Sequence, residues 1–169
     1  DVERVLNAAE LVGRGSLEEI LKAMDDPDSG VRFWAATALR SDPMLARQAA
    51  GPLKALLEDP SPVVQIAAAE ALCHIDECEV ALPVLSKWVQ DDLPPLALYA
   101  ARTLQLIGDK ACPAVPVMRA VLEKNIRDPN AESSGRYYLN FNFSAFTAWA
   151  LEVALVNCGE DIQVNGGRR

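Results

Sequence analysis

Three stretches of this chain are versions of one another. Residues 26–39 read DPDSGVRFWAATAL, residues 59–72 read DPSPVVQIAAAEAL, and residues 91–104 read DDLPPLALYAARTL. Their closing leucines, Leu39, Leu72 and Leu104, set a period of about 33 residues. The intervening segments repeat as well: Pro52, Pro83 and Pro116 stand just before Leu53, Val84 and Val117. A unit of this length cannot bury an apolar face alone and must stack on its neighbours. The repeat therefore restricts the chain to a quasi-one-dimensional array before any single residue is weighed.

Each unit reads as two helices. The first holds patterns such as Gly51-Pro52-Leu53-Lys54-Ala55-Leu56-Leu57-Glu58, where Pro52 suits a first helical turn that needs no N–H. The second follows an Asp-Pro turn, because proline disfavours helical geometry in the residue before it. Val31, Ala35, Ala38 and Leu39 then fall on one helical face, as do Val64, Ala68, Ala71 and Leu72, and Leu96, Ala100, Thr103 and Leu104. Aromatics make up only 6% of the chain while alanine and leucine abound, which favours helices packed closely through small side chains. The expected fold is all-α, a right-handed α-solenoid of stacked helical hairpins. The expected order is a capping helix within residues 1–15, with Val5, Leu6, Ala9 and Val12 inward, then repeats over 16–125. A polar loop over 126–136, a last aromatic-rich capping helix over 137–158 and a frayed tail over 159–169 complete it.

The run Asp26…Val31-Arg32…Ala35-Ala36…Ala38-Leu39 resembles the second half of a HEAT repeat: a turn Asp, then Val-Arg, then an alanine-rich helix. The resemblance covers roughly residues 16–125. It implies an armadillo-like superhelix that binds protein, with Asp and Arg forming a polar ladder. Here the ladder is incomplete, since Arg32 becomes Gln65 and then Ala97. A second resemblance rests on Val5-Leu6-Asn7-Ala8-Ala9-Glu10-Leu11 and on Asp26 through Ala36. These look like the C-terminal helical-repeat region of bacterial sulfatases of the arylsulfatase and N-sulfoglucosamine sulfohydrolase group. In that group a catalytic α/β domain precedes the repeats and carries a Cys/Ser-x-Pro-x-Arg motif, converted to formylglycine, and a calcium site. No such motif stands here; Cys112 is followed by Pro113-Ala114-Val115-Pro116. The resemblance thus implies an accessory region without the active site, in the periplasm or outside the cell. Without it, the cytoplasm is the default.

Charge excludes some partners. The formal net charge of -8 argues against the clustered basic side chains that a nucleic-acid reader needs, and against anionic membrane surfaces. The uncharged run Tyr137–Leu151 is too short to span a bilayer and carries Asn140, Asn142, Ser144 and Thr147. The start shows no basic segment followed by an apolar run, so no signal peptide is expected within this chain.

Catalytic constellations are not expected either. There is no phosphate-cradling Gly-rich loop, no G-x-S-x-G and no H-E-x-x-H. The acid pairs Glu18-Glu19, Asp25-Asp26, Glu58-Asp59 and Asp91-Asp92 read as solvated caps at helix starts and turns. Cys73, His74 and Cys78 match no common zinc spacing, and His74 is the only histidine. Cys73, Cys78, Cys112 and Cys158 read as buried structural thiols, not as a disulfide framework. His74 itself reads as a surface or helix-end residue. Asn142-Phe143-Ser144 matches the glycosylation pattern, a common chance match. No catalytic residue, metal or cofactor is expected.

What the array offers is a face. Opposite the core, the second helices carry Phe33, Thr37 and Arg40, then Ile66, Glu70 and Cys73, then Leu98, Arg102 and Gln105, flanked by Trp34 and Tyr99. Phe33, Ile66 and Leu98 form an apolar row; Thr37, Glu70 and Arg102 a polar one. The row fits either a docking surface or packing against a neighbouring helix or the last segment. The expected partner is a protein or a parent catalytic domain. A free-standing adaptor is the alternative; an enzyme on this fold, of DNA glycosylase or bilin lyase type, stands behind it, and the glycosylase needs a basic groove.

Overall fold

The structure is a computed structural model that describes the backbone of residues 2–126 and 137–162, and the side chains of residues 2–124 and 143–162. Most of the polar loop expected over 126–136, the side chains of Tyr137, Tyr138, Phe141 and Asn142, and the tail from 163 onward lie outside the described residues. The fold is all-α, built of helical hairpins of the α-solenoid class. The helices are α1 (Val2–Ala9), α2 (Leu17–Met24), α3 (Ser29–Ser41), α4 (Pro43–Gln48), α5 (Ala50–Ala55), α6 (Pro62–His74), α7 (Cys78–Trp88), α8 (Pro94–Leu106), α9 (Val115–Ile126) and α10 (Tyr137–Asn157). Short 3-10 turns follow α5 at Leu56–Glu58 and α8 at Gly108–Ala114. The chain divides into two compact units, Asp1–Val84 and Leu85–Arg169.

In the first unit α3 packs on α6, α2 and α1. The repeat positions Val31, Ala35, Ala38, Leu39, Val64, Ala68, Ala71 and Leu72 are all buried, joined by Ile20, Leu53 and Leu57. Alanine at these sites removes the bulk that would hold the helices apart. Ser16 and Glu19 start α2 with a reciprocal capping box: Glu19 N–H donates to Ser16 Oγ (3.3 Å) and Ser16 N–H to Glu19 Oε2 (2.9 Å). The hydrogen bonds from the Ser16 side chain and backbone hold the Glu19 carboxyl below its ordinary range. One sequence expectation changes here, and two local features are added. Leu6 on α1 is 61% exposed and Ala8 turns inward in its place. The first helix of the second repeat is split into α4 and α5, because Asp42 and Pro43 start a helix of their own. Pro83 lies inside α7, since that helix begins at Cys78.

In the second unit α8 packs on α10, while α9 and the Gly108–Ala114 turn flank α10. Its core holds Leu85, Ala100, Leu104, Met118, Leu151 and Leu155. α10 closes with Gly159 at φ +77, Gly159 N–H on Val156 O and Glu160 N–H on Leu155 O. That is the Schellman pattern, and glycine supplies the left-handed residue without strain.

The recurring Asp has a physical role in both units. Asp26, Asp59 and Asp91 each accept, through Oδ1, the backbone N–H two residues on, at 2.8, 2.8 and 2.9 Å. This Asx turn reverses the chain before each second helix. Asp59 is not the solvated cap expected from sequence. Its side chain is 4% exposed, and Arg32 binds it through Nε to Oδ2 (2.6 Å) and Nη2 to Oδ1 (2.9 Å). Arg32 Nη1 also donates to the carbonyls of Asp26 (2.8 Å) and Pro27 (3.0 Å). One arginine thus ties two consecutive turns together. Gln65, at the next repeat position, donates to the Asp59 carbonyl at 2.6 Å.

The cysteines also depart from expectation. Cys73 is bonded to Cys78, and Cys112 to Cys158, with Cα–Cα distances of 4.1 and 5.2 Å. The first bridge spans the end of α6, where Asp76 adopts φ 68 and Glu77 N–H reaches Leu72 O. This second Schellman turn folds the chain back and brings Cys78 to Cys73. The second bridge ties the Gly108–Ala114 turn to the end of α10. His74, between the first pair, is exposed at the end of α6.

Candidate functional site

The eleven residues expected on the outer face separate into a closed set, which includes the buried and disulfide-bonded Cys73, and an open set. In the first unit the face is largely filled. Ile66 is fully buried, which removes it from any docking row. Thr37 is buried too, and its hydroxyl donates to the Phe33 carbonyl (2.9 Å). Glu70 is 2% exposed and receives Arg40 Nη1 at 3.3 Å, so an ion pair closes the seam between α3 and α6. Phe33 and Trp34 stand edge to face at 5.4 Å, half-buried.

In the second unit the four expected residues come together. Leu98, Tyr99, Arg102 and Gln105 line one wall of a groove, with Pro95 at its end. Their spacing along α8 is that of one helical face. The facing wall is α10, through Phe146, Trp149, Ala150 and Val153. The volume is about 540 Å³. Phe146 and Trp149 are each 50% exposed and meet edge to face at 5.3 Å. Val153 and Val156 extend this apolar stripe along α10. Arg102 is exposed, and its Nη1 donates to Gln105 Oε1 at 2.5 Å. The sequence marks α10 as aromatic-rich, but capping is the role expected of it there. The usable signal is that Phe146, Trp149 and Val153 recur at helical spacing on one side.

A second cavity of about 330 Å³ lies among α8, α9 and α10. Several of its polar groups are engaged: Lys124 Nζ meets Asp92 Oδ1 at 3.0 Å, Asp91 holds the Leu93 N–H, and Thr147 Oγ1 donates to the Phe143 carbonyl at 2.7 Å. Among the described residues no group of His, Cys, Asp and Glu is arranged to hold a metal ion. No helix of the described residues is long and apolar enough to cross a membrane.

One buried acid stands apart. Glu152 on α10 is 8% exposed and its Oε2 has no hydrogen-bond partner among the described residues. Burial pushes its carboxyl above the ordinary glutamate range. The folded protein therefore holds this proton more tightly than the unfolded chain. The acid costs nothing below the unfolded value of about 4.3, and it subtracts stability as pH rises from there through the folded value. Glu152→Gln is expected to raise Tm relative to the parent progressively as pH rises above about 4. Parallel Tm–pH curves for the two proteins would remove this assignment.

The hairpin repeats, the Asp turns and the open groove define a helical-repeat scaffold. The chain belongs to the HEAT-repeat family, whose model matches residues 17–105 and 49–133. A search of curated proteins gives no match.

Proposed function

We propose that this chain is a non-catalytic scaffold whose α8/α10 groove seats a segment of a partner protein. The single observation that carries the reading is the half-exposed pair Phe146 and Trp149 facing Leu98 and Tyr99 across an open groove. Aromatic side chains in such a place are the usual anchors of binding energy. At the two cavities Arg102 engages Gln105 and Lys124 engages Asp92, pairings that suit a recognition surface. The test is site-specific photo-crosslinking in the source cells, with the probe at position 98 and, as control, at the exposed Glu10. A defined protein adduct from position 98, lost in Trp149→Asp while the far-UV helix signal stays unchanged, is the expected result. Equal labelling from both positions sinks the reading.

A finer reading makes this scaffold the accessory region of an exported, bacterial sulfatase-like hydrolase. Two disulfides favour it, because such bonds persist in oxidising compartments and are rare in the cytosol. The resemblance of Val5–Leu11 and Asp26–Ala36 points to the same context. An antibody to this domain should then detect, on a reducing gel of source cells, a product well above 18.3 kDa. Peptide mapping should find a Cys/Ser-x-Pro-x-Arg motif in that product. A band at the mass of this chain leaves the free-standing adaptor.

A further inference from the structure

The α8/α10 groove carries a chemical demand on its occupant, and this inference rests on the docking role proposed above. We propose that the groove takes an apolar, helix-length peptide segment that brings one carboxylate side chain onto Arg102. The first unit shows the rule. There Arg40 of α3 meets Glu70 of α6, and Glu70 is nearly inaccessible. The pair satisfies both charges as the seam closes. Arg102 stands at the repeat position of Glu70, in a seam that α10 leaves open. Among the described residues no carboxylate pairs with Arg102; its Nη1 donates to the neutral amide oxygen of Gln105.

While the groove is open, water solvates the guanidinium. An apolar segment laid over Leu98, Tyr99 and Trp149 strips that water away. A charge desolvated without a partner costs more than the surrounding apolar contacts return. The occupant must therefore supply an anionic acceptor, and the planar guanidinium favours a two-oxygen carboxylate. The net charge of -8 limits the demand to one such group. A generally acidic segment is repelled by the whole chain. The fitting partner is a neutral or basic amphipathic segment with apolar anchors at helical spacing and a single Asp or Glu among them.

The test selects peptides from a displayed library of helical segments about four turns long on the oxidised full chain, with Trp149→Asp as counter-selection. The best peptide, and its variant with the acid replaced by Gln or Asn, are measured by calorimetry against the parent chain and Arg102→Gln. Enriched peptides are expected to share one acid at a fixed offset from the anchors. Neutralising it should weaken binding about tenfold or more, and Arg102→Gln should remove that difference. Arg102→Glu should instead enrich a Lys or Arg at the same offset. Peptides that depend on Trp149 but show no acid preference overturn the Arg102 pairing and leave the docking reading standing. Failure to select any Trp149-dependent peptide overturns both. A dimer by sedimentation that Trp149→Asp dissolves makes a second copy the occupant and also overturns the proposal.

Discussion

Removing the Cys112–Cys158 bridge is expected to lower stability by about 4 kcal/mol. The bridge closes a loop with a sequence separation of 46. Loop-closure entropy for that length gives the figure, and a domain has only about 5–15 kcal/mol to lose. The effect also reaches the groove. Cys158 lies at the end of α10, next to the Schellman turn at Gly159, so the bridge fastens the helix that presents Phe146 and Trp149. Cys112→Ala/Cys158→Ala should therefore unfold at lower urea and bind any groove ligand more weakly. The Cys73–Cys78 bridge has a separation of 5, and the same relation gives about 2 kcal/mol. Its true effect should be smaller still, because the left-handed turn at Asp76 already holds these residues together. Urea titrations of the two double-alanine variants check the order. Equal midpoints for both variants and the parent contradict the account.

The second large effect is at Asp59. Asp59→Ala is expected to cost on the order of 3 kcal/mol, because it removes the two-oxygen partner of the largely buried Arg32 guanidinium and leaves it the Asp26 and Pro27 carbonyls and the more distant carboxylates of Asp26 and Asp28. It also removes the acceptor for Ser61 N–H. Replacing both partners by apolar residues, as in Arg32→Met/Asp59→Leu, should cost less than Asp59→Ala alone, since no charge is then stranded. Acid adds a separate check. Burial by itself raises the Asp59 carboxyl, but the bonds from Arg32 and the Ser61 amide outweigh burial and hold it below the ordinary range. Its folded value is thus below its unfolded one. The stability it confers is complete above the unfolded value of about 3.9 and is lost as pH falls through the folded value. Asp26 and Asp28 are lowered in the same direction, chiefly by the backbone N–H groups of Asp28 and Gly30. The parent should lose stability below about pH 4, and Asp59→Asn should flatten that limb. An unchanged acid limb in Asp59→Asn contradicts the pairing as the source.

Much of this protein is legible in its residues alone. The period locates the second helices α3, α6 and α8, and the alanine and leucine positions on one face are buried, except Leu96 at the start of α8, which is partly exposed. Asp26, Asp59 and Asp91 mark the turns because an Asx turn is made within three residues. Capping at Ser16 and the helix end at Gly159 are equally local. The α8 wall of the groove is legible too: helical angle alone places Leu98, Tyr99, Arg102 and Gln105 on one side of α8, and all four line the groove.

The rest was decided by contacts between residues far apart in the chain. Helical angle places Ile66 and Leu98 on equivalent faces, yet Ile66 is wholly covered and Leu98 borders an opening. Which face stays open depends on the neighbouring helix. Glu70 answers Arg40 and closes one seam, whereas Trp149 and Val153 of α10 leave the other open and apolar. The cysteines make the same point. Nothing local distinguishes Cys112 and Cys158 from buried free thiols; only the packing of α10 beside the Gly108–Ala114 turn brings them together. Sequence by itself determined what each turn and helix could satisfy within its own few residues. Tertiary structure decided which side chains water still reaches, because exposure is a property of neighbours and not of period.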